Sequence, residues 1–222
     1  MKQSLPFLII GSVLIAALLA VWYLKRPAAE TPLAVQPGAA LPKPAAGRPR
    51  LGAEPPHRLG NADAPVMLEE FGDFECQACA ALHPALKTIK ADFGSRVVIV
   101  FREFPLASVH QHTLAAARAA EAAGLQGKFW EMHDLLYENQ KDWHVSSDVE
   151  SLFEQYAKQI GLQVERFKQD INGEAVTGRV TLDQERGRWI GVNSTPTIFL
   201  NGREVPPESL TLEKLRALIN AL

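Results

Sequence analysis

Val66-Met67-Leu68-Glu69-Glu70-Phe71-Gly72-Asp73-Phe74-Glu75-Cys76-Gln77-Ala78-Cys79 decides the fold. Its apolar run reads as a strand, and it leads straight into a Cys-x-x-Cys pair at the head of a helical pattern. A thiol at a helix N-terminus meets unpaired backbone N–H groups and the positive end of the macrodipole, which stabilise its thiolate and make it a nucleophile. The second cysteine can then close a disulfide. These are the only two cysteines of the 222-residue chain. Other uses of the spacing fit less well. Haem attachment needs His directly after the second Cys, where this chain has Ala80. A structural zinc site needs four ligands, and after His83 no second His follows at ligand spacing. A purely structural bridge over so short a loop restricts the unfolded chain little. Redox exchange at Cys76 and Cys79 is the reading that remains.

N-terminal to this stretch the composition changes. Phe7 to Leu24 is an uncharged apolar run bracketed by Lys2 and by Lys25-Arg26, long enough to cross a hydrocarbon core. No A-x-A cleavage pattern follows it, so residues 1–24 are expected to be a transmembrane signal anchor rather than a removed leader. Residues 25–56 hold eight of the fifteen prolines and many alanines, and read as an extended linker that cannot bury a core. A dithiol that must hold or donate a disulfide belongs outside the reducing cytosol, so the expected location is membrane-anchored with the catalytic domain outside the cytoplasm.

Residues 57–222 form the expected domain, with seventeen Lys/Arg against twenty-three Asp/Glu. That acidic balance, without a basic patch, argues against nucleic acid as a partner. Val66–Phe71, a cysteine helix running to about 93, and the β-branched run Val97–Phe101 make a βαβ unit. Pro84 bends that helix and leaves its first turn intact. From about 110 to 190 the pattern is helical; Ser147 with Glu150 reads as a capping box, followed by the stripe Val149, Leu152, Phe153, Tyr156 and Ile160. Thr197–Leu200, Asn201-Gly202 and Arg203–Val205 spell a hairpin with a type I′ turn, and 211–222 a closing amphipathic helix. The expected class is α/β, ordered βαβ, helical insertion, ββα.

Four segments in this order carry a resemblance: Phe74-Glu75-Cys76-Gln77-Ala78-Cys79, Phe101-Arg102-Glu103-Phe104-Pro105-Leu106, Gly127-Lys128-Phe129-Trp130-Glu131-Met132-His133 and Gly191-Val192-Asn193-Ser194-Thr195-Pro196-Thr197. They resemble the DsbA family of thiol:disulfide oxidoreductases, thioredoxin-like proteins with a helical insertion, in the membrane-anchored branch that includes BdbD-like proteins. The resemblance implies that Thr195-Pro196 is a cis-proline loop against the cysteine pair, binding an extended substrate segment through its backbone. It implies that Glu70, six residues before Cys76, lies under the disulfide, where burial raises its pKa and fits it to shuttle a proton to Cys79. Alternation with Val66 and Leu68 puts Glu70 on an inward face and Glu69 on the other.

Oxidised Cys76–Cys79 would be attacked at Cys76 by a thiolate of a reduced exported protein, and a second thiolate of that protein would release it oxidised. The cysteine pair itself is the redox centre, with no further cofactor and no metal expected. Re-oxidation would fall to a quinone-linked membrane oxidase of DsbB or VKOR type. Strong oxidants of the family carry Pro-His between the cysteines, whereas here Gln77-Ala78 supplies no cation and Glu75 is acidic. Isomerase or reductase activity, or peptide binding as a tethered chaperone, are therefore the competing expectations.

Overall fold

The computed structural model describes residues 52–222. The expected anchor, and the linker up to residue 51, lie outside the described residues. Strand β1 is His57–Leu59, β2 Val66–Gly72, β3 Val97–Glu103, β4 Thr197–Leu200 and β5 Arg203–Glu204. They form one sheet in the order β1-β3-β2-β4-β5. β2 and β3 are parallel, and the other three pairings are antiparallel. Parallel neighbours need a crossover, and helix α1, Gln77–Phe93, supplies it. Between β3 and β4 stand α2 (Thr113–Gly124), α3 (Phe129–Glu138), α4 (Gln140–Trp143), α5 (Val149–Gln159), α6 (Val164–Asp170) and α7 (Glu174–Trp189); α8 (Leu212–Asn220) closes the fold. This is the thioredoxin-like order with a helical insertion.

α1 forms where its apolar residues recur at helical spacing. Cys79, Leu82, His83, Leu86 and Ile89 are its buried stripe, and Pro84 sits inside the helix. Leu82, Leu86 and Ile89 pack with Leu68, Ile99, Ile198, Leu215 and Ile219, so α1 and α8 cover one face of the sheet. Truncating one such leucine to Ala typically removes 2–5 kcal/mol. The insertion has its own core around Trp143, Phe153, Met132 and Leu136, continuous with Phe74 and Cys79. The hairpin turn is as expected, with Asn201 at φ 47° and Gly202 at φ 77°. The Asn201 side chain accepts from Met67 N–H (2.7 Å) and donates to the Pro65 carbonyl (3.2 Å), tying the turn to the start of β2.

Two expectations are corrected. The spacer does not run to residue 56: Ala53 is fully buried, its N–H donating to Asp183 Oδ1 and its carbonyl accepting from Arg102, each at 2.7 Å. Those backbone groups are held by charges distant in sequence, which a proline-rich composition does not reveal. The cap of α5 is Asp148, whose carboxylate accepts from Ser151 N–H at 3.1 Å, rather than Ser147. Glu69 lies on the face that the alternation gave it. It is buried on the face opposite Glu70, where it meets Arg102 Nε (3.0 Å) and Arg186 (3.0 Å) in an ion-pair cluster with Asp183. Helix α7 covers that face, so the alternation was right about direction but could not show what lay there.

Candidate active site

Cys76 is the N-cap residue of α1, and the helix begins at Gln77. The turn before it is fixed from three directions. Asp73 accepts from Glu75 N–H (2.8 Å), Leu106 N–H (2.8 Å), the Thr113 hydroxyl and His110 Nδ1 (2.8 Å). Glu75 accepts from His112 N–H (2.6 Å) and His144 Nδ1 (3.0 Å). Gln140 donates to the carbonyls of Phe74 (2.7 Å) and Cys76 (3.0 Å). Apart from the Glu75 N–H, each partner comes from the insertion or the loop leading into it, so the helical block braces the cysteine turn. The sequence reading gave no bracing role to Asp73 or Gln140 and set Glu75 down as a charge beside the cysteines; its carboxylate is instead engaged with His112 and His144. Phe74 is fully buried against Phe101 and Tyr137.

The two sulfurs occupy different environments. Cys76 retains 9% of its surface and Cys79 none, so an incoming thiolate reaches Cys76. Both are free thiols in this structure. The Cys79 thiol, hydrogen-bonded to Cys76, is the largest influence pulling the Cys76 pKa down to about 5. Burial opposes that fall, while the Thr195 side chain and the N–H groups of Cys79 and Ala78 add to it, without closing a regular capping hydrogen bond in the thiol form. Cys79 moves the other way, pushed up by burial first and then by its bond to Cys76 and by Glu70. One cysteine is thus a thiolate near neutrality and its partner a thiol.

Glu70 lies on the central strand opposite Phe101 and Ile198, on the same sheet face as α1. It is 2% exposed, and burial, followed by repulsion from Cys76, raises its pKa to about 8. At neutral pH it is therefore mostly a neutral acid that can give up a proton. On the opposite side of Cys76, the Thr195–Pro196 peptide is cis and the thiol donates to the Thr195 carbonyl at 3.3 Å. Thr195, Pro196, Ala78, Leu82, Leu210 and Leu212 line an open groove of about 560 Å³ that starts beside the sulfur. The structure thus gathers Cys76, Cys79, Glu70, Thr195 and Pro196, chosen from sequence, in one place.

A second cluster stands behind α1, where His83, His133 and Asp134 place ligand-type atoms within 4.8 Å of one another. The sequence pointed to His83 without finding its companions, which come from α3. Both imidazoles bond to Asp134 Oδ1, at 2.9 and 3.1 Å, and Lys87 holds Oδ2 at 2.9 Å. An ammonium on the same carboxylate competes with a cation, and the three side chains read as a hydrogen-bonded network. Burial lowers the His133 pKa to about 4. Although burial opposes it, hydrogen bonds from His133, His83 and Lys87 hold Asp134 below the usual carboxylate range.

Comparison with known proteins agrees with this geometry. The thioredoxin family model matches residues 53–221. Among solved structures, BdbD from Bacillus subtilis superposes with a TM-score of 0.66 at 24% identity, covering 77% of this chain and 97% of that one. A thioredoxin-like oxidoreductase from Silicibacter pomeroyi gives 0.61 at 26% identity, over 75% and 94%. MdbA, a thiol-disulfide oxidoreductase from Corynebacterium diphtheriae, gives 0.62 at 21% identity, over 76% and 92%. A curated relative, the Na(+)/H(+) antiporter NhaA 1 of Mycolicibacterium vanbaalenii, is 42% identical over 148 residues, which is 66% of this chain and 23% of that protein. The chain thus spans about a quarter of the length of the curated relatives it matches. The chain belongs to the thioredoxin family, and its fold is shared with thiol-disulfide oxidoreductases of the DsbA, BdbD and MdbA type.

Proposed function

We propose that this protein is an extracytoplasmic thiol:disulfide oxidoreductase that introduces disulfides into exported proteins by exchange at Cys76 and Cys79. The observation that supports this most is the asymmetry of the pair: a reachable Cys76 with a pKa near 5 above a buried Cys79 whose pKa is raised. A substrate thiolate attacks Cys76 Sγ, the Cys76–Cys79 bond breaks, and Cys79 leaves as a thiolate that takes a proton from Glu70. A second substrate thiolate attacks the substrate sulfur of the mixed disulfide. The substrate then carries the new disulfide and has lost two electrons, while Cys76 departs as a stable thiolate. Stabilising that thiolate favours the reduced enzyme, which makes the disulfide an oxidant. Thr195 and Pro196 would hold the substrate segment beside the sulfur, with its apolar residues along the groove.

In this proposal the domain is held by the apolar run 7–24 at the outer face of a membrane, where a quinone-linked oxidase of DsbB or VKOR type re-forms the disulfide. The antiport named for the curated relatives is not carried over, because this chain matches less than a quarter of their length. The test is oxidative refolding of a reduced, disulfide-containing substrate by the oxidised full chain. The native protein should accelerate it and the Cys76→Ser variant should not; equal acceleration by both would make peptide binding the function. Equilibration with glutathione then separates oxidase from isomerase or reductase, and a potential as low as thioredoxin's, about −270 mV, would exclude the oxidase role.

A further inference from the structure

Every exchange cycle adds a proton to Cys79 or takes one away, yet Cys79 is fully buried and Glu70 is 2% exposed. Under the oxidoreductase reading, on which this inference rests, Glu70 must itself be reprotonated after it gives its proton to the Cys79 thiolate. The protein interior beside the pair holds buried polar groups without a use so far. Among the described residues, the Tyr137 hydroxyl, both carboxyl oxygens of Glu103 and Oε1 of Glu121 are buried and lack a hydrogen-bond partner. Buried polar atoms are normally satisfied, by ordered water where protein groups do not reach. So many in one region is unusual, and they lie in sequence from the cysteines outward.

Glu103 stands opposite Gly72, two pairs beyond Glu70 and Phe101, and so on the same face of the sheet. Gly72 has no side chain, and a Cβ there would come within 2.9 Å of the Tyr137 hydroxyl. The Phe101 ring comes nearer still, at 2.5 Å, so the glycine leaves room for that ring and for the Tyr137 hydroxyl against the strand that carries Glu70. Tyr137 feels the charges of Cys79, Glu70, Glu103 and Asp73, and burial holds its hydroxyl protonated. Glu103 faces Glu121 from α2, Asp183 and Arg179 from α7, and Asp73 from the end of β2; burial, then repulsion from Glu121, keeps its carboxyl well above the ordinary range. The other oxygen of Glu121 bonds to His57 Nε2 at 2.9 Å and to Arg179, and the His57 side chain is 16% exposed.

We propose that Tyr137, Glu103 and Glu121, with water held between them, pass protons between the buried Cys79–Glu70 pair and solvent at His57. During substrate oxidation one proton enters at His57 for each Cys79 thiolate released, and Glu70 regains the one it gave. During re-oxidation the same proton leaves. Electrons stay on the sulfurs throughout.

The test follows reduction of the oxidised full chain by dithiothreitol, in light and heavy water, across neutral pH. Tyr137→Phe and Glu103→Gln each keep the shape of the side chain and remove proton transfer. Each should slow reduction about tenfold or more and enlarge the solvent isotope effect, with the thiolate titration of Cys76 unchanged. Unchanged rates in both variants would overturn the path. So would a rate loss equal at every pH and without an isotope effect, because that reports displaced cysteines. A native disulfide inert to dithiothreitol would remove the oxidoreductase reading itself.

Discussion

Replacing Glu70 by Gln should stabilise the reduced protein, by an amount set by pH. Gln is the neutral isostere of a protonated carboxyl, and Glu70 sits fully buried on the central strand with its pKa raised from 4.5 to about 8. The sign follows from which state releases the proton first. Below pH 4.5 both folded and unfolded chains keep it and Glu70 carries no penalty. As pH rises the unfolded chain ionises while the folded one resists, so stability is lost from 4.5 up to about 8 and is level beyond. Each pH unit in that window is worth about 1.4 kcal/mol. The Glu70→Gln gain is therefore under about 1 kcal/mol near pH 5, about 3 kcal/mol at neutral pH, and about 5 kcal/mol above pH 8. Urea unfolding of both proteins, kept reduced, measures it at the three pH values. The unfolding slope should stay the same and the midpoint should move. A gain that does not vary with pH, or a loss at neutral pH, would refute the buried neutral acid.

Two other substitutions probe separate links. Thr195→Val removes a buried hydroxyl that has no hydrogen-bond partner while Cys76 is a thiol and is free to donate to its thiolate, so the pH at which alkylation of Cys76 reaches half its maximum rate should rise; an unchanged or lower midpoint would remove Thr195 from the thiolate's support. Arg102→Met leaves Asp183 and Glu69 buried with less compensating charge, and should cost about 3–5 kcal/mol in urea unfolding while leaving the Cys76 titration alone. A loss under about 1 kcal/mol would mean that the cluster relaxes around the gap.

What the sequence disclosed was local. Cys76 and Cys79 stand out as a pair, Asn201-Gly202 demands positive φ at two successive positions, and the period-2 pattern through Val66, Leu68 and Glu70 gives the side chain's direction. Each signal lies within a few residues of the feature it reports. The bracing of the cysteine turn was not legible for the opposite reason. Asp73 finds His110 and Glu75 finds His144 only after the insertion has folded back, 37 and 69 residues away. The burial of Glu69 depends on α7, which arrives more than a hundred residues later. Short elements escaped because they carry no periodicity: β1 has three residues and α4 four. The capping residue of α5 was misplaced by one position, since Ser147 and Asp148 are both good caps and only the backbone geometry separates them. Nothing in the local sequence marks Tyr137 or Glu103. Their lack of partners is a property of the packed interior.

Disulfide exchange here depends on Cys76 being a stable thiolate at neutral pH, held by Cys79, Thr195 and the start of α1. Ultraviolet thiolate absorbance of the reduced protein, titrated with pH and compared with Cys76→Ser, tests it most directly. One transition near pH 5 is expected, and it should vanish in the variant. A single transition at the ordinary thiol value, about 8.5, would contradict it.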